Sequence, residues 1–141
     1  MPDNEPKIVA NAPEEPSKVL DISIELKKLL FAFGVSISLK YYNKNCECFS
    51  KWKKDELKGI SSLIGKISQL EANKLRSGTR YCSAHKGPSK RERFQRPDWL
   101  SEDIVLYELE VTDKARMHGF FVDSVFFLLW LDREHECFKL D

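Results

Sequence analysis

The sequence has no long apolar stretch. Its longest runs are Leu29 to Ile37, broken by Gly34 and Ser36, and Val125 to Leu131. Both fall far short of the roughly 18–20 residues that cross a bilayer as a helix, so no membrane association is expected. Glycine is scarce, at 6 of 141 residues, and cysteine is limited to four. A collagen and a small disulfide scaffold are thereby excluded. The first twenty residues have no basic n-region and no apolar h-region, so a cytoplasmic chain with reduced thiols is expected. Zinc-knuckle spacing is missing too. Cys46 and Cys48 are separated by one residue, and Cys82-x-x-His85 and His135-x-Cys137 complete no paired CxxC pattern. The expectation is therefore no metal and no other cofactor. Charge of one sign is also not in excess: 23 basic and 22 acidic residues give a net charge of +1. What remains is the composition of an ordinary globular domain, with 42% hydrophobic and 32% charged residues. No catalytic motif names a reaction by itself.

The neutral total hides an uneven distribution. From Lys74 to Arg96 there are eight basic residues, opposed only by Glu92, for a local charge of +7. From Pro97 to Asp141 the balance is −7. A basic stripe of this kind is the footprint of a protein that meets phosphates. Arg80, His85, Lys90, Arg91, Arg93 and Arg96 are its candidate nucleic-acid contacts, with Tyr81 and Phe94 available for stacking. The same stripe would also suit an acidic protein partner.

Along the chain, Pro2, Pro6, Pro13 and Pro16 predict a disordered tail over residues 1–18, followed by a single α+β domain over 19–141. Ile22, Leu26, Leu29, Leu30 and Phe33 follow Asp21 at helical spacing, although residues 21–26 also read as a strand. Val35 to Tyr42 alternates as a strand with one buried side, and Cys46 to Phe49 reads as a short extended return. Leu57, Ile60, Leu63, Ile64, Ile67 and Leu70 predict a helix from about residue 53 to 70, with a break near 69–73 that would divide it. Residues 77–97 have no apolar period and read as a long mobile loop. Tyr107, Leu109 and Val111, then residues 115–122, then 125–131 predict a three-stranded meander with a tight turn at Asp123-Ser124. The fold expected is a small antiparallel sheet, one early strand plus the meander, packed against two or three helices.

This order of elements resembles that of the RelE/ParE-like toxins of bacterial toxin–antitoxin pairs. The wording of the closing strands is similar as well: Leu106-Tyr107-Glu108-Leu109-Glu110-Val111, Ala115-Arg116-Met117-His118-Gly119-Phe120, and Phe126-Phe127-Leu128-Leu129-Trp130-Leu131-Asp132, with a charged end containing His135. The resemblance implies a metal-independent endoribonuclease, a hydrolase of ribosome-bound mRNA, with an antitoxin protein as a further partner. RNA cleavage of that type needs a group to take the 2′-hydroxyl proton, positive charge for the phosphorane, and a proton for the leaving oxygen. Lys86, Arg116, His118 and His135 are the candidate catalytic residues. Glu108 and Glu110 stand where an arginine would help hold RNA, which suits a catalytically reduced relative. Arg116 could instead pair with Glu108 or Glu110 across the hairpin. The alternative function is a non-catalytic nucleic-acid- or acidic-protein-binding module built on residues 74–96.

Overall fold

Residues 23–26 and 34–140 are described by the structure, a computed structural model. The chain divides into two units, Met1–Ala32 and Phe33–Asp141. In the first, residues 23–26 are helical; the expected tail over 1–18, and the rest of the segment read as helix or strand, lie outside the described residues. In the second the order is β1 (Ser36–Ser38), a 3-10 turn (Phe49–Lys51), α1 (Lys54–Ile67), α2 (Ala72–Gly78), β2 (Cys82–Ala84), a 3-10 turn (Glu92–Phe94), β3 (Tyr107–Glu110), β4 (Arg116–Val122) and β5 (Val125–Asp132).

The architecture is α+β around one five-stranded sheet with strand order β1-β5-β4-β3-β2. β1 runs parallel to β5, with Ser36 opposite Val125 and Ser38 opposite Phe127. The remaining pairs are antiparallel. The sheet is therefore mixed, where an antiparallel one was expected. Alternation within a strand tells which side is buried, but direction is set by the long connection, which here carries the chain through both helices before it returns beside β1. The early strand is also shorter than its alternation. Tyr42 accounts for this: its hydroxyl donates to the Glu47 carbonyl at 3.0 Å and accepts the Phe49 N–H at 3.1 Å. Those bonds fold residues 42–49 into a loop where an extended return was expected.

α1 starts with Asp55 and Glu56 in its first turn, where the helix dipole favours acids. Glu56 reaches back to accept the Lys53 N–H at 3.0 Å. Its buried residues Leu63 and Ile67 join Leu75 of α2, Leu109, Met117, Phe126, Leu128 and Leu131 in a core on one face of the sheet. The helical segment does divide near residues 69–73. Gly34 crosses the end of α1 in a left-handed conformation, φ +80°, and a Cβ there would lie 1.9 Å from the Ser68 carbonyl oxygen. That close approach lets the Val35 N–H bond the Ile67 carbonyl at 2.9 Å and fixes the entry to β1.

The meander forms as its pattern predicts. Asp123, at φ +52°, and Ser124 turn the chain between the paired Val122 and Val125; aspartate tolerates the left-handed region better than most residues. A bulge follows. His118 faces Trp130, but Gly119 faces Leu128, so Leu129 is the extra residue. The bulge turns Leu129 and Trp130 to the same side, into a second core with Cys46, Phe94, Leu100, Leu106, Phe120 and Cys137. A Cβ on Gly119 would sit 2.0 Å from the Phe127 carbonyl oxygen.

Residues 77–97 differ most from expectation. They are packed, not a long loop: residues 77–78 end α2, 82–84 form the edge strand β2, with Cys82 in the first core, and Phe94 enters the second core. β2 pairs with β3, with Cys82 opposite Leu109. His85 N–H bonds Leu106 O at 2.8 Å, Lys90 N–H bonds Cys137 O at 2.8 Å, and Phe94 is 1% exposed. Few apolar residues were visible there, but Cys82 and Phe94 are placed to fill gaps left by the strands, and backbone pairing supplies the rest.

Two outcomes are expected. In amide exchange, His85, Lys90 and Phe94 should be protected without any partner. Gly119→Ala should lower the urea-unfolding free energy by about 1–3 kcal/mol, the usual range for an overpacked core.

Candidate active site

β4 and β5 bring a histidine and an aspartate together inside the second core. His118 and Asp132 are both 0% exposed. His118 Nε2 and Asp132 Oδ2 are 2.8 Å apart. Asp132 Oδ2 also accepts the Cys137 N–H at 3.1 Å, and Oδ1 accepts the Glu136 N–H at 2.7 Å. One carboxylate thus bonds a strand histidine and holds the turn after β5, where His135 sits at φ +54°. Burial pushes the Asp132 carboxyl up, but these bonds and the charge of His118 outweigh it and leave the group below its ordinary value.

On its other side, His118 Nδ1 lies 2.8 Å from His85 Nε2. The three side chains form a line, Asp132–His118–His85. An ionised carboxylate can only accept, so His118 Nε2 carries a proton. With His118 otherwise neutral, its Nδ1 accepts from His85 Nε2–H and the lone pair of neutral His85 is on Nδ1; with His118 cationic, Nδ1–H donates to His85 Nε2 instead. His85 is held against Phe138, ring centroids 4.8 Å apart. It lines a cavity of about 620 Å³ with Arg96, Phe94, Leu106 and Trp130. Burial, and then the charges of His118 and Arg96, bring the His85 pKa down to about 3, against a smaller opposing effect of Asp132. His85 is therefore neutral near pH 7.

The candidate site residues fall in three places. His118 is the buried middle of the line. Arg116 and His135 gather around Glu108 on the same face of the sheet: Arg116 Nε is 4.0 Å from Glu108 Oε1, and His135 Nε2 is 3.2 Å from Glu108 Oε2. Arg116 also donates to the Thr112 carbonyl at 2.7 Å. Lys86, beside His85, is exposed. Arg96 is half-buried at the cavity wall and donates to the Ser101 carbonyl at 2.8 Å. Arg93 pairs with Glu136 at 2.7 Å and, with Lys90 and Arg91, lines a second, shallower hollow of about 510 Å³. Arg80 is exposed, with its guanidinium 5.8 Å from the Tyr81 ring.

Asp132 is not among the residues picked from the sequence: it reads there as the polar end of an apolar strand, and its only signal is an acid placed directly after seven apolar residues. Cys137 is weighed there as a zinc ligand with His135 and set aside for its spacing. One donor nitrogen each from His85 and His118 and the sulfur of Cys137 lie within 4.8 Å of one another, a set able to hold a metal ion. Burial raises the Cys137 thiol to about 12.

No family model, curated protein or solved structure matches this chain. Among the described residues, no helix is long and apolar enough to cross a membrane.

A pH dependence follows from His85. Its folded pKa lies below its ordinary value of 6.5, so on acidification the unfolded chain takes up that proton first. The contribution is whole above pH 6.5 and is lost as pH falls toward about 3, with a slope of at most about 1.4 kcal/mol per pH unit. Urea midpoints of the wild type should fall more steeply across that window than those of His85→Gln.

Proposed function

We propose that this protein is a metal-independent endoribonuclease acting on messenger RNA, a toxin of the RelE/ParE-like kind or a catalytically reduced relative. One observation carries the reading. A buried carboxylate–histidine line ends in a neutral imidazole at a cavity that also holds Arg96, inside the most basic stretch of the chain.

In this reading His118 is neutral and accepts from His85 Nε2–H, and His85 Nδ1 takes the proton of a ribose 2′-hydroxyl. The freed oxygen attacks the adjacent phosphorus, the bond to the 5′-oxygen breaks, and the products are a 2′,3′-cyclic phosphate and a 5′-hydroxyl. As His85 becomes cationic, His118 and Asp132 steady the charge along the line, so both act as positioning residues. Arg96 answers the charge of the phosphorane, and the ammonium of Lys86 gives a proton to the leaving 5′-oxygen, which departs as the 5′-hydroxyl. Arg116 and His135, both turned toward Glu108, serve the RNA or the shape of the site and do not carry the proton transfer. An antitoxin would act by covering the same cavity.

A second reading has its own support. Lys90, Arg91 and Arg93, with Glu92 and Glu136, line an open hollow, and its three basic side chains suit a non-catalytic module for nucleic acid or an acidic protein. Salt separates the partners. For duplex nucleic acid, replacing the three with Ala should flatten the log–log salt slope by up to about 3 units.

With a chelator present, purified wild type should cleave RNA to cyclic-phosphate ends, and His85→Ala should lose up to about 10²-fold in rate, the low end of a general base's usual worth because the depressed pKa of His85 makes it a weak one. His118→Ala should lose rate and shift the pH profile, because the imidazole of His85 is then no longer held. Expression of the wild type should slow growth. Equal rates in wild type and His85→Ala would end the enzyme reading.

A further inference from the structure

Resting on that reading, we propose that His85, His118 and Cys137 bind one zinc ion, and that the bound ion holds the nuclease site off. The donor set is two imidazoles and one thiol, which matches a borderline-soft ion of tetrahedral habit better than a hard oxygen-seeking one. With three protein ligands, the cavity that His85 lines leaves the fourth position for solvent or a small anion.

The geometry is close to what such an ion needs. Zinc bonds of about 2.0–2.1 Å to nitrogen and 2.3 Å to sulfur put tetrahedral donors roughly 3.3–3.6 Å apart. The two histidine nitrogens are now 2.8 Å apart, and all three donors lie within 4.8 Å. Separating the two nitrogens by about half an ångström and bringing the sulfur to the same spacing completes the site. The outer support is already in place. His118 uses Nε2 on Asp132, which leaves Nδ1 as its ligand atom. A carboxylate behind a metal-bound histidine fixes its tautomer and raises its basicity. Asp132 also accepts the Cys137 N–H, so the same carboxylate positions two of the three ligands.

Binding balances simply. The thiol of Cys137 gives its proton to solvent and coordinates as thiolate. His85 moves its ring proton from Nε2 to Nδ1, so that Nε2 can coordinate. The ion, one thiolate and the Asp132 carboxylate together sum to no net charge, which suits a buried place. The shift at His85 is what switches the site. Nδ1 becomes an N–H donor, and the lone pair that accepts the 2′-hydroxyl proton is gone. Zinc and the His85–His118 hydrogen bond exclude each other because they use the same two nitrogens.

The test is a titration of the full chain, freed of metal by a chelator and then dialysed, with cobalt(II) and zinc(II). Cobalt should give a thiolate charge-transfer band that saturates at one ion per chain and is displaced by zinc. Cys137→Ser should lose the band, His85→Gln should weaken binding by at least about tenfold, and Cys48→Ser should behave as wild type. Circular dichroism confirms that each variant is folded, and His85→Gln stands in if Cys137→Ser is not. Zinc should slow RNA cleavage in step with occupancy, and a chelator should restore it. Absence of the band, or a band that persists in both Cys137→Ser and His85→Gln, overturns the site. Zinc bound through Cys137 with cleavage unchanged or faster overturns the switch. Cobalt bound through Cys137 in a chain that cleaves no RNA upholds the site and sinks the nuclease reading.

Discussion

The buried Asp132 carboxylate is the constraint on which the site depends. It lies at the end of β5, fully shielded from water, and an isolated ionised carboxylate there would be very costly. Three donors make it tolerable: His118 on β4, and the backbone N–H groups of Glu136 and Cys137. Each donor is placed by the same bond that satisfies the acid. The histidine is oriented, the turn after β5 is closed, and the thiol of Cys137 is brought back against the sheet. Removing one member of such a buried pair commonly costs about 3–5 kcal/mol, because the other is left uncompensated.

The bulge at His118 and Gly119 makes this arrangement possible. By turning both Leu129 and Trp130 to the second face, it roofs the histidine with apolar side chains and keeps water from the middle of the line. The Leu129 carbonyl is taken up by the Asn43 N–H at 2.9 Å, so the loop after β1 pins the irregularity. Trp130 stands edge-on to Phe94, centroids 5.8 Å apart, which ties the basic segment to the same place. The chemistry at His85 and the packing of residues 77–97 are thus one structural unit.

A second buried acid repeats the logic beside the first. Glu47 accepts the Trp52 indole N–H at 2.7 Å and the Arg133 N–H at 2.8 Å. Arg133 in turn pairs with Glu56 of α1. The residue next to Asp132 is therefore fastened to the helical layer, and the two faces of the sheet are coupled through neighbouring positions of one strand end. The +7 and −7 segments meet where Arg93 bonds Glu136, and Arg93 also lies 4.0 Å from Glu47. Part of the basic stripe is used inside the chain, and Lys86, Lys90 and Arg80 remain at the surface.

Periodicity alone determined the meander, its turn at Asp123-Ser124, and the paired helices. Each is a local pattern, in which the spacing of Leu63, Ile67 or of Val125 to Leu131 states which side must leave water. The charge blocks were equally legible, because charge is counted without knowing any contact. Tertiary structure decided the rest. The direction of β1 came from a long connection, and β2 from pairing with a strand some 25 residues later. Arg116 was open to a catalytic role or a cross-strand pair, and only the register placed it beside Glu108. The line of Asp132, His118 and His85 could not be read from the chain, since its members lie 14 and 33 positions apart and share no spacing rule. A hydrogen bond between distant residues exists only once the sheet has set their distance, and burial, which makes that bond matter, is a property of the whole fold.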